Sequence, residues 1–189
     1  MIIYLHGFAS AGFGTKAQKF LEYFEEELIT PTLPTIPNLA IANLEQLIEA
    51  FLNRDEKVSL IGSSLGGFYA LYLANKYNLK AVLINPSIYP WITLESYRND
   101  EEEMARSYYD NSKFEFNYSH SQSLLNFEVK QIKNPKNFLT LLQMEDEILD
   151  YTQAEEKLID TNLEIEEGGN HSFEGIERYF RKVDSFLNS

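Results

Sequence analysis

KVSLIGSSLGGFYALYLANKYNLKAVLIN, Lys57 to Asn85, is the stretch on which the fold turns. Lys57 to Ile61 is a short apolar run closed by glycine, which reads as a buried strand. Leu65 to Tyr77 reads as a helix, and Lys80 to Asn85 as a second apolar strand. A strand, a helix and a strand in such quick succession call for a parallel pair joined by a crossover, and therefore for an α/β sheet.

The same alternation extends in both directions. Ile2 to Leu5 is a strand closed by His6-Gly7, and Thr15 to Leu28 has apolar residues at helical spacing (Phe20, Leu21, Phe24, Leu28) with Thr15 as its N-cap. Pro31, Pro34 and Pro37 forbid regular helix, a short strand fits near Leu28 to Thr32, and helical spacing resumes from Asn38 to Asn53. Beyond Pro135 the order is strand (Asn137 to Gln143), helix (Tyr151 to Ile159), strand (Asn162 to Glu166) and helix (Glu174 to Leu187). Between Pro86 and Pro135 the chain is aromatic and aperiodic, as a functional cap or binding loop usually is, with simple extra packing as the alternative. The expected architecture is one α/β domain over residues 1–189, with a mostly parallel sheet of about six strands flanked by helices. An aromatic-rich insertion at about 87–133 completes it.

Composition narrows the functions. Sixteen Lys and Arg against 29 Asp and Glu give a net charge of -13, with no basic cluster of the kind a phosphate backbone or an anionic membrane requires. The run Asp100 to Glu103 reads as a solvated acidic face. The absence of cysteine removes disulfides, zinc thiolates and cysteine nucleophiles, and three scattered histidines show no metal-ligand spacing. Neither a metal nor another cofactor is expected. The opening residues lack the features of a leader, and no apolar run approaches the ~20 residues that span a bilayer, so the expected location is cytoplasmic.

Gly62-Ser63-Ser64-Leu65-Gly66 fits G-x-S-x-G between a strand and a helix, the setting in which a strained turn lifts the central serine above the sheet edge. That serine is Ser64; the same five residues also fit a plain glycine-rich turn. A serine nucleophile needs a base, and the candidates are His6, His120 and His171. His171 follows the last strand in Glu167-Gly168-Gly169-Asn170-His171, where α/β sheets place their sites. His6 shapes the loop before Gly7-Phe8, and His120 reads as a surface residue of the insertion. The acid must lie between serine and histidine in the chain. Asp146 and Asp150 both qualify; Asp146 is preferred as nearer its strand end, while Asp150 sits where the next helix needs an N-cap.

Tyr4-Leu5-His6-Gly7-Phe8, Ile61-Gly62-Ser63-Ser64-Leu65-Gly66-Gly67, Asn85-Pro86, Asp146 to Tyr151 and Glu167 to His171 together resemble the YqiA-type family of small bacterial esterases. The resemblance runs over nearly the whole chain and is weakest from Ser87 to Lys133. It implies a compact α/β-hydrolase fold and a Ser64, Asp146, His171 triad. His6-Gly7-Phe8 resembles the oxyanion loop of that superfamily, which gives the backbone N–H groups of Phe8 and Leu65 the role of binding the oxyanion.

The expected function is hydrolysis of small acyl esters through an acyl-enzyme, with activity rising with pH through roughly 6 to 7 as the histidine base loses its proton. Tyr89 and Trp91, just after Asn85-Pro86, are the guessed substrate contacts. Thioester hydrolysis or acyl transfer would use the same triad. A hydrolase scaffold that only binds an acyl ligand, or a partner protein using the aromatic insertion as an interface, are the non-enzymatic alternatives.

Overall fold

The computed structural model describes residues 1–98 and 104–189; the acidic run Asp100 to Glu103 lies outside the described residues. Strand β1 (Ile2–Leu5) leads to helix α1 (Thr15–Phe24), the short strand β2 (Leu28–Ile29), helix α2 (Pro37–Leu52), strand β3 (Ser59–Ser63), helix α3 (Leu65–Tyr77) and strand β4 (Lys80–Ile84). An irregular segment follows, with helix α4 (Pro90–Thr93), strands β5 (Ala105–Arg106) and β6 (Lys113–Phe114), and helix α5 (Tyr118–Ser123). The alternation resumes with β7 (Phe138–Gln143), α6 (Tyr151–Lys157), β8 (Asn162–Glu166) and α7 (Phe180–Asn188).

Six strands form one sheet in the order β2-β1-β3-β4-β7-β8, with every pairing parallel. The four inner strands read as unbroken apolar runs because both of their faces are covered. Alternate residues divide between two cores: Ile3, Leu5, Leu60 and Leu83 pack with α2 and α3, whereas Ile2, Tyr4, Ile61 and Val82 pack with α1 and α7. From β1 the chain goes to β2 on one side and then to β3 on the other. The carboxyl ends of β1 and β3, with Leu5 opposite Gly62, therefore lie at the point where strand order reverses and open sheets place their ligands.

Two helices depart from the sequence expectation. The first ends at Phe24 instead of Leu28, because Glu25 turns to a positive φ of 49° and Leu28 pairs with Ile2 in the sheet. Its N-cap is Gly14 and not Thr15. The last begins as a short 3-10 turn at Ile176, since the Gln143 side chain takes both the N–H and the carbonyl of Glu174 and Gly175 is left-handed at φ 68°.

The segment between β4 and β7 owes its lack of period to packing. Phe116, Leu124, Phe127 and Val129 sink into the core that holds Phe68, Leu71 and Leu73 of α3. This cover makes α3 apolar on nearly every side. His120, expected at the surface, is half-buried: it accepts from the Asn117 N–H while Asn117 Oδ1 accepts from the His120 N–H, closing a capping box at α5. Among the described residues, no helix is long and apolar enough to cross a membrane.

Candidate active site

The turn from β3 into α3 is strained at one residue. Ser64 has φ 56° and ψ -122°, a region that costs a non-glycine residue about 1–3 kcal/mol. Its neighbours hold it there: the Ser64 N–H donates to the Ile84 carbonyl at 3.1 Å, and the Ser64 carbonyl accepts from Gly67, Phe68 and Ser87. The flanking glycines are required by close approach. A Cβ on Gly62 would lie 2.2 Å from the Gly66 carbonyl oxygen, and one on Gly66 would lie 2.0 Å from that of Leu5. The turn can therefore form only where G-x-S-x-G stands, with the Ser64 hydroxyl outside the sheet edge.

His171 and Asp146 reach Ser64 from two further loops of the same edge. His171 Nε2 lies 3.0 Å from Ser64 Oγ, and Nδ1 lies 2.8 and 3.0 Å from the two Asp146 oxygens. A carboxylate can only accept, so Nδ1 carries the proton and Nε2 presents its lone pair to the serine hydroxyl. The Asp146 side chain is 2% exposed and its Oδ1 also accepts from the N–H groups of Ile148 and Leu149 at 2.9 and 2.8 Å. The acid loop and the histidine loop are tied together, with the Glu145 N–H on the Gly168 carbonyl and the His171 N–H on Glu147. That last bond holds the Glu147 carboxyl below its ordinary pKa. Asp150 is elsewhere: exposed, it caps α6 and accepts from the Thr152 N–H and hydroxyl, which lower its pKa.

Gly7 approaches Ser64 closely enough for its absent Cβ to be in contact with the serine side chain. The next residue, Phe8, is fixed by its ring, which meets Tyr97, Phe114 and Phe116 at centroid distances of 5.2, 5.5 and 4.8 Å. Leu65 opens α3, where the first N–H groups of a helix have no intrahelical acceptor. Neither the Phe8 nor the Leu65 N–H donates to an acceptor among the described residues. His6 serves the loop: it is buried, Nδ1 donates to the Gly7 carbonyl, Nε2 accepts from the Leu33 N–H, and burial lowers its pKa.

These groups line a cavity of about 970 Å³. One wall is aromatic, with Phe8, Phe13, Tyr97, Tyr108 and Tyr109. Phe13 and Tyr109 meet edge to face at 4.3 Å and remain 46% and 65% exposed. Tyr89 and Trp91 do not line this cavity. They meet edge to face at 5.8 Å, as Trp91 and Phe68 do at 6.2 Å, as part of the packing over α3. The segment thus contributes to the cavity through different aromatics from those guessed, since its path is set by burial that sequence period does not reveal.

Sequence reasoning missed three positioning residues. Asn85 accepts from the Gln143 N–H and donates to the carbonyls of Asn170 and His171. Gln143 accepts from the N–H groups of Asn170 and Glu174. These two buried amides fasten the histidine loop, and a polar residue ending each apolar strand run was the available signal. The third, Lys16, donates to Ser63 Oγ at 2.6 Å from the first turn of α1. No periodicity distinguishes it.

Known proteins share this fold. The chain is 27% identical over 192 residues to "UPF0227 protein YcfP" of Salmonella paratyphi A, covering 98% of each. Among solved structures it is similar to Est1E from Butyrivibrio proteoclasticus with ferulic acid bound (TM-score 0.71, 13% identity, 99% of this chain and 87% of the other). It is also similar to a monoacylglycerol lipase from Paleococcus ferrophilus (TM-score 0.72, 15%, 99% and 93%) and to alpha/beta hydrolase domain-containing protein 10 from mouse (TM-score 0.68, 18%, 99% and 89%). The fold is the α/β-hydrolase fold, shared with esterases and lipases. The YqiA-type proteins that the sequence resembles belong to the family whose model, described as "Uncharacterised protein family (UPF0227)", matches residues 1–188, and this chain is a member of it.

Proposed function

We propose that this protein is a serine hydrolase acting on small carboxylic esters, working as one domain with the segment at about 87–133 as its cap. The observation that carries the reading is the unbroken chain from Asp146 through His171 to Ser64, ending at a strained turn that opens on a cavity. His171 removes the Ser64 proton as Oγ attacks the acyl carbonyl, and Asp146 holds the tautomer and stabilises the imidazolium. The Phe8 and Leu65 N–H groups receive the oxyanion, each lowering the barrier by about 3 kcal/mol. His171 then protonates the leaving alcohol and activates the water that releases the acyl group. The aromatic wall suits an apolar or aryl portion of the substrate.

The test is intact mass after treatment with a fluorophosphonate probe. One adduct on the wild type and none on Ser64→Ala is the expected result; no adduct on folded wild type would overturn the reading in favour of a non-catalytic scaffold. Turnover of matched ester, thioester and amide substrates then separates esterase from thioesterase, with the ester expected to lead.

A further inference from the structure

Lys16 lines the cavity, and the proposed chemistry gives its ammonium no role. Its ammonium donates to a neutral acceptor, Ser63 Oγ, and no carboxylate of the described residues lies within ion-pair distance of it. Lys19, one turn along the same helix, is paired with Glu177, as Lys76 is with Glu45 and Lys182 with Glu164. A partly buried ammonium whose nearest partner is a neutral hydroxyl is costly to desolvate, and the Asp146 carboxylate offsets that cost only from beyond ion-pair distance. Burial lowers its pKa to about 8, so it is still predominantly charged at neutral pH.

The surroundings favour an anion. Lys16 lies in the first turn of α1, whose N-cap Gly14 provides no side-chain cap, and Gly14, Thr15, Lys16 and Ala17 all line the cavity that holds Ser64 and His171. The open N–H groups and the positive end of the helix add to the lysine charge. Strand alternation puts Ser63 on the face of the sheet that carries Tyr4 and Ile61. In a chain of net charge -13, this is a localised positive point on the wall of a candidate active site.

We infer that Lys16 anchors a carboxylate on the substrate, so that the preferred esters carry an anionic group remote from the scissile bond. The inference rests on the serine-hydrolase reading and gives it a substrate class. The carboxylate can belong to the acyl chain, as in a dicarboxylic acid monoester, or to the alcohol.

Two substrate pairs distinguish these sources: 4-nitrophenyl hydrogen adipate against its methyl ester, and 4-acetoxybenzoate against methyl 4-acetoxybenzoate. The expected result is a kcat/KM ratio favouring the acid in one pair, which falls about 10- to 100-fold in Lys16→Met, the range of one charge-assisted hydrogen bond. The ratio should stay within about twofold in Lys19→Met. A structural role for Lys16, or a general effect on Asp146, would slow acid and ester alike and leave the ratio unmoved. An equal ratio in wild type and Lys16→Met, in protein that still takes the fluorophosphonate adduct, overturns the anchor alone. No turnover and no adduct overturns the hydrolase reading, and the anchor falls with it.

Discussion

The loops at the carboxyl ends of β1, β3, β7 and β8, and the segment between β4 and β7, are both irregular backbone, yet different forces hold them. The loops are fixed by hydrogen bonds and by missing side chains: Ser64 is locked by four backbone bonds, and Gly62 and Gly66 leave no room for a Cβ. The segment is fixed by apolar burial, with Phe116 and Leu124 fully enclosed and rings set edge to face against Phe8, Phe68 and Tyr72. The first arrangement positions reactive atoms, and the second supplies stability and shape. Substitutions in the two regions should therefore be read by different measurements.

The largest effect is expected at the ends of the hydrogen-bonded chain. Ser64→Ala and His171→Ala should each lower kcat for a simple 4-nitrophenyl ester by on the order of a millionfold, about 8 kcal/mol, while the thermal midpoint stays within a few degrees. Activity retained within about a hundredfold in either variant would break the assignment of this region to catalysis.

Asp146 and Asp150 sharpen the comparison within a single loop. Both are carboxylates that accept backbone N–H bonds, but only Asp146 is buried against His171. Asp146→Asn should cost about 10⁴-fold in kcat, since an amide N–H facing Nδ1 forces the wrong tautomer. Asp150→Asn should change kcat by less than about threefold, because asparagine caps a helix as well as aspartate does. The reverse ranking would move the acid to Asp150.

What could be read in the chain follows the same division. The elbow was legible because its glycines answer a local demand, and Asp146 because it stands three residues after a strand end. The strands were legible because burial on both faces leaves a continuous apolar run. The path of the segment was not, since Tyr89 and Trp91 differ from Tyr97 and Tyr109 only in the distant rings that receive them, Phe68 for Trp91, Phe8 for Tyr97 and Phe13 for Tyr109. The end of α1 was missed for a related reason: helical period continues through Leu28, but that residue is claimed by Ile2 across the sheet. Gln143 shows the limit most plainly, because the four hydrogen bonds of its side chain all reach residues more than 20 positions away.

Phe116→Ala tests the other side of the comparison. Removing a fully buried ring should destabilise the protein by about 3–5 kcal/mol in denaturant unfolding. Phe8 loses one of its three ring contacts, so kcat should fall only about tenfold in the fraction that stays folded. A loss of activity comparable to Ser64→Ala, without destabilisation, would mean that the segment takes a direct part in the chemistry.

The smallest effect concerns the partly buried charge of Lys16, in the first turn of α1. Lys16 has a pKa of about 8 when folded and an ordinary lysine value of about 10.5 when unfolded. Below pH 8 both states hold the proton and the cost of burying the charge is fully present. Between about 8 and 10.5 the unfolded state binds more protons than the folded one, so stability must rise with pH. Tyr4 and Tyr69 act in the opposite direction above pH 10, because burial raises their pKa values and the folded state then holds the extra protons. The difference in unfolding free energy between wild type and Lys16→Met removes most of the tyrosine contribution. That difference should shift in favour of the wild type by on the order of 1 kcal/mol from pH 7.5 to pH 10, a value reduced for the partial exposure of the side chain. A flat difference would mean that Lys16 keeps an ordinary pKa in the folded protein, and that its ammonium is solvated and not held against the cavity wall.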